Sequence, residues 1–285
     1  TGGNNVAIGY TALDANTTGA ANTALGHSAL GANTTGASST AVGFQALYTN
    51  STYSENTAIG YKSLYTTSSG YSNTAVGHET LLANTSGNYN TAVGHDAGTA
   101  VTTGIGNTFV GGLAGDATDD GTLNTAVGYA ALSANCGDSN VAVGTGALEK
   151  GTASNNTAVG RAALTETTTG SANVAVGKDA GKANTTGANN TVVGYQVFEV
   201  NTTGGNNVAV GLQALRLSTT GSYNTALGTF AMEANTTASE NTAVGYSALG
   251  ANTTGAYNVG LGKSALSANT TASNNTAVGK DALLV

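Results

Sequence analysis

At 285 residues the chain has the length of one or two ordinary domains, yet charged residues make up only 8% of it, glycine numbers 42, and proline and tryptophan are absent. With 40% hydrophobic residues and a net charge of −7 it is also unlike a disordered chain, which is poor in apolar residues and rich in net charge, so order is expected. No run approaches the roughly 18 apolar residues of a membrane span, the lone Cys136 excludes an intrachain disulfide, and the acidic balance argues against nucleic acid as a partner.

A phrase of the form NTAVGYSALGANTTGAY (residues 241–257) recurs from end to end. Its glycine falls at Gly9, Gly26, Gly43, Gly60, Gly77 and so on to Gly279, seventeen times, always 17 residues apart except for two steps of 16. A fixed period of this size predicts a solenoid, in which each repeat is one coil that buries its apolar face only against its neighbours. The fold class expected is therefore all-β, a parallel β-roll (β-solenoid) of seventeen coils. The chain begins with TGGNNVAIG and ends with DALLV, both in mid-phrase. Residues 1–285 are accordingly expected to be a single repeat domain, a fragment of a longer fibrous protein.

Each coil opens on Asn, at Asn5, Asn22, Asn56, Asn73, Asn90 and their equivalents, with Ser39 the one exception. Thr or Val, usually Ala, and then Val, Ile or Leu follow before the glycine. These five residues read as a short strand, and stacked in register the Asn side chains are placed to bond to one another as a ladder. The glycine marks a corner that needs positive φ or has no room for a Cβ. A small residue three positions on (Ala12, Ala46, Ala248) and a large apolar one at the fourth (Leu13, Leu47, Met232, Leu249) suggest a second inward-facing leg. That leg is expected to be a strand, with a helical turn as the alternative. The coil closes through ANTTG, a turn, and the two short steps lose their residue there, in NCGDSN and KGTASN.

Along the chain the position after the glycine varies most. Tyr10, His27, Phe44, Tyr61, His78, His95 and Tyr129 give the first half an aromatic stripe, a candidate surface for sugar or for a partner chain. Arg161, Lys178, Lys263 and Lys280 make the same position basic in the second half. His78 and His95 fall in adjacent coils, but two ligands without a third are weak grounds for a metal. DATDDG (residues 116–121) has part of an EF-hand spacing, yet Thr118 and Val127 occupy ligand positions, so it reads as turn decoration. Nine of the closing turns, those of the ANTTG type, contain an Asn-x-Ser/Thr sequence, from Asn16 to Asn269. Fifteen acids and eight bases are spread thinly over the coils, and no catalytic residue, cofactor or metal is expected.

The NTAVGxxAL step resembles the head repeat of YadA-type trimeric autotransporter adhesins, and the fuller phrase with its NTTG turns is similar to repeats of phage tail fibres and of bacterial tail-fibre-domain surface proteins. The resemblance spans the whole chain. It implies a left-handed roll, a homotrimer around one axis, and an extracellular, cell-surface or virion location; it brings no catalytic residues. The 17-residue period is longer than that of the adhesin heads, and residues 1–285 match the repeats alone, not a neck, stalk or anchor.

The function expected is a non-catalytic structural or adhesive fibre segment, a rigid spacer or display shaft. Its partners would be copies of itself, as homotrimer or end-to-end filament, and a cell-surface glycan or protein receptor met through flanking regions; no membrane insertion is expected. The alternative is an ice-binding β-solenoid, set back because the paired Thr of NTTG would point to opposite sides of a strand. A polysaccharide-cleaving β-helix would require clustered carboxylates, which the even scatter of acids does not provide.

Overall fold

The computed structural model describes residues 2–284, and it is all-β, a parallel β-solenoid with no helix among them. Two compact units divide the chain, Thr1–Asn140 and Val141–Val285. The first holds β1 (Val6–Ile8) to β8 (Thr125–Val127), the second β9 (Val141–Val143) to β17 (Thr276–Val278), every strand three residues long. Within each unit every strand pairs in parallel with its successor one coil on, as in Thr57↔Thr74, Ala58↔Ala75 and Ile59↔Val76. One strand per repeat, bonded within each unit to the next repeat, is what makes the fold a solenoid.

The strands are shorter than the five residues expected because each flanking residue keeps one main-chain bond to a neighbouring coil, the Asn through its carbonyl (Thr57 N to Asn73 O, 2.8 Å) and the glycine through its N–H (Gly60 N to Val42 O, 2.7 Å), while the Asn N–H turns to a side chain instead. Gly60 sits at φ 136°, and a Cβ there would lie 2.0 Å from the carbonyl oxygen of Gly77. Gly9, Gly26, Gly43 and Gly77 repeat this geometry. Both reasons anticipated for the glycine thus act at once: the dihedral is outside the range of L side chains, and the coil above occupies the space.

At the other flank the Asn column bonds in three directions. Its Oδ1 accepts the main-chain N–H of the Asn one coil on, from Asn22 to Asn5 at 2.8 Å, from Asn73 to Asn56 at 3.0 Å and from Asn90 to Asn73 at 2.9 Å. Its Nδ2 donates across its own coil to the turn glycine, Asn22 to Gly36 O at 2.8 Å and Asn90 to Gly104 O at 2.8 Å. Side chain also meets side chain, Asn73 Nδ2 donating to Asn56 Oδ1 at 3.2 Å. In the one coil without Asn, the Ser39 hydroxyl accepts the N–H of Asn56 at 3.3 Å. Such buried amides are tolerated because their polar atoms are satisfied.

The second leg is neither the strand nor the helical turn expected. It is a run of tight turns in which alternate residues adopt positive φ: Gln45 and Leu47 at 53° and 52°, Lys62 and Leu64 at 49° and 51°. The reason is burial. Ala46 and Leu47 are both fully buried, whereas neighbours on a strand face opposite ways. Alternating the sign of φ turns both side chains inward while the backbone still bonds to the coils on either side, Gln45 N to His27 O at 2.9 Å and Leu47 N to Ser63 O at 2.9 Å. Left-handed backbone costs a non-glycine residue about 1–2 kcal/mol; full burial of a Leu returns about 1.5–3 kcal/mol.

Side-chain volume is balanced between the two legs. Phe109 replaces the usual Ala at the centre of β7 (Thr108–Val110), and Gly98 and Gly115 replace the usual Leu in its own coil and the one before. A Cβ on Gly98 would stand 2.9 Å from Phe109 Cδ2, and one on Gly115 2.5 Å from Phe109 Cε1. The phenyl ring therefore fills the space that two leucines vacate, as close packing demands.

Candidate functional site

The strand face that points away from the core carries two files of side chains. With Ala92, Phe109 and Ala126 fully buried, the residues on either side of each point outward, and Val93, Val110 and Val127 are each 37% exposed. This outer third position is Val, Ile or Leu in every strand of both units. The outer first position is Thr in seven consecutive strands of the first unit, Thr23 to Thr125, paired in register. In the second unit Thr and Val share it. Sequence reasoning did not single out these files, although strand alternation about the buried Ala would have located them.

Beside the sheet corner the stripe of rings forms a stack. From Tyr10 through His27, Phe44, Tyr61 and His78 to His95, successive ring centroids lie 5.2, 5.2, 5.5, 5.0 and 4.8 Å apart. From His27 onward the rings are near parallel, so their faces are occupied by one another and their edges meet solvent. A sugar that stacks needs a free ring face, and the interior of this ladder has none to give. Gly112 then breaks the file, with Tyr129 beyond it and 59% exposed. In the second unit cations take the same positions, Lys178 lying over Tyr195 at 5.0 Å and Lys263 over Tyr246 at 5.9 Å. A hydrogen bond and ion pair with Asp179, 3.1 Å away, raise the Lys178 pKa.

The DATDDG stretch does not gather its carboxylates. Asp119 accepts from the Thr102 hydroxyl of the preceding coil, and burial raises the pKa of Asp116. Among the described residues the three groups that do come together are His78, His95 and Asp96, whose ligand atoms all lie within 4.8 Å of one another. Asp96 was not foreseen; comparing the second residue after each glycine between adjacent coils would have revealed it.

The Asn-x-Ser/Thr sites of the closing turns are mostly inside, whereas Asn155, Asn189 and Asn274, which also begin such a sequence just ahead of a strand, are exposed. Asn33, Asn50, Asn84, Asn201, Asn235 and Asn252 are fully buried, Asn184 nearly so, and the Nδ2 of each donates to a turn carbonyl, as where Asn84 Nδ2 donates to Gly87 O at 3.1 Å. The first Thr of the turn is engaged as well, Thr34 Oγ1 donating to Ser51 O at 2.8 Å. A hollow of about 470 Å³ in the second unit is lined by Tyr223, Glu240 and Thr242. No protein-family model matches the chain, and no curated protein matches it in sequence.

Proposed function

We propose that the chain is a non-catalytic structural segment of an extracellular fibre, a cell-surface adhesin or phage tail fibre, serving as spacer or display shaft for binding regions in flanking sequence. The observation that carries this reading is the outer strand face. An aliphatic file repeated in every strand and more than a third exposed at Ile59, Val93 and Val127 is the kind of contiguous apolar surface that marks an association site. The partner is a further copy of the chain, because a repeating file finds its complement in an identical repeating file. Following the adhesin repeats that the phrase resembles, the assembly proposed is a homotrimer of left-handed coils.

Light scattering on the purified chain, with negative-stain images of the same sample, tests this directly. Three chains per particle are expected, and a particle of one chain at every concentration overturns the trimer.

A second reading, ice binding, is favoured by the unbroken file of seven Thr in the first unit. Hydroxyls in register beside methyl groups on a sheet form a regular two-dimensional array, and the Thr pair in the turn, which counted against this reading, is not part of it. Thermal hysteresis that is lost when Thr57 and Thr74 are changed to Lys supports the reading; its absence at high protein concentration ends it.

A further inference from the structure

His78, His95 and Asp96 form a constellation that ring stacking alone does not account for. The coil repeat places His78 and His95 on neighbouring rungs, their rings 4° from parallel with centroids 4.8 Å apart. Both direct the same nitrogen at one carboxylate: His95 Nδ1 is 3.0 Å from Asp96 Oδ2, and His78 Nδ1 is 3.6 Å from Asp96 Oδ1. His27 in the same ladder is an internal contrast, since its Nδ1 meets the Ser28 hydroxyl at 3.0 Å and no acid. Asp96 Oδ1 is shielded from water and has no hydrogen-bond partner, which leaves a buried acceptor in need of one. The next residue in the file is Gly112, which adds no side chain of its own beside His95.

We infer that His78, His95 and Asp96 are a surface site for a divalent transition-metal ion of the zinc class. Two imidazoles and one carboxylate suit zinc, nickel or copper, whereas calcium and magnesium take oxygen ligands. Bonds of about 2.0–2.2 Å in a tetrahedron put ligand atoms about 3.3–3.5 Å apart. The two nitrogen–oxygen distances, 3.0 Å to Oδ2 and 3.6 Å to Oδ1, lie on either side of that spacing, so each imidazole already has one carboxylate oxygen near ligand separation. What remains is for the two rings to tilt toward each other. Their side chains are 45% and 65% exposed, so they rotate without disturbing the coil. Three protein ligands leave a fourth position for water, which makes the ion exchangeable. A bound ion would also tie adjacent coils together and stabilise the fold through binding to the folded state alone.

Calorimetric titration of the full chain with zinc chloride tests the assignment, with cobalt(II) visible absorption as a spectroscopic check on coordination. One zinc ion per chain is expected. His95→Ala and Asp96→Asn should each weaken binding by about tenfold or more, a loss comparable to those seen for partners of metal ligands, whereas His27→Ala should leave it unchanged. Circular dichroism of each variant separates loss of the site from loss of the fold. No zinc uptake by the parent chain, or uptake undiminished in a folded double variant His78→Ala/His95→Ala, overturns the proposal.

Discussion

Among single residues the corner glycine is the least replaceable. At Gly60 any side chain meets both a forbidden dihedral and a carbonyl oxygen 2.0 Å from where its Cβ would be, so Gly60→Ala should lower stability by a few kcal/mol or more, on the order of other strained-backbone replacements. Chemical denaturation measures this, and an unchanged midpoint would contradict the geometry. Cys136 is buried, its thiol within 3.3 Å of the Thr118 hydroxyl, and burial pushes its pKa up. Since the thiolate is the reactive form, a disulfide reagent should modify it slowly in the native protein and rapidly after unfolding. Asp116 behaves in the opposite sense to a paired carboxylate. Burial raises its pKa in the folded state, so its favourable contribution is present below the ordinary carboxylate range and is lost as pH rises through the folded value. Asp116→Asn should therefore raise the melting temperature at pH 7, by an amount that shrinks toward pH 4; a gain independent of pH would assign the effect to something other than ionisation.

At the scale of elements, the second leg shows how burial overrides local preference. Ala and Leu favour helix, and the period of the chain suggested a strand, but adjacent inward side chains are compatible with neither a strand nor a coil this thin. The contradiction was already present in the pattern, because positions three and four after the glycine were both read as inward. The legs also share one packing layer, which gives a sharp test. Phe109→Ala should cost about 3–5 kcal/mol, as large-to-small changes in cores do. Adding Gly98→Leu and Gly115→Leu to that variant should restore much of the loss by returning both coils to the common repeat. The same two leucines introduced beside the native Phe109 should instead destabilise through overpacking. Additive losses in the triple variant would show that the ring and the two glycines are independent.

For the molecule as a whole, the design is an inner stack whose strand-flanking Asn column is tied from coil to coil by hydrogen bonds and an outer sheet face that is not covered by the chain itself. Lys at Val76 and Val93 points a charge from that face without touching the buried Ala column. The double variant should keep its β-sheet circular dichroism and melt cooperatively while its particle mass falls to that of one chain; a mass unchanged from the parent would move the association surface elsewhere.

The amino-acid sequence by itself determined the period, the parallel β-solenoid, the corner glycine, the Asn column and the proximity of His78 to His95, because each follows from a residue recurring at a constant spacing. Tertiary structure alone decided the rest. The turn conformation of the second leg, the compensation of Phe109 by Gly98 and Gly115, the ring faces closed by stacking, the outward Thr and aliphatic files, and the approach of Asp96 to two imidazoles all depend on contacts between coils. A repeat specifies what stands on each rung, but which faces are covered and which groups converge is settled only when the rungs are stacked.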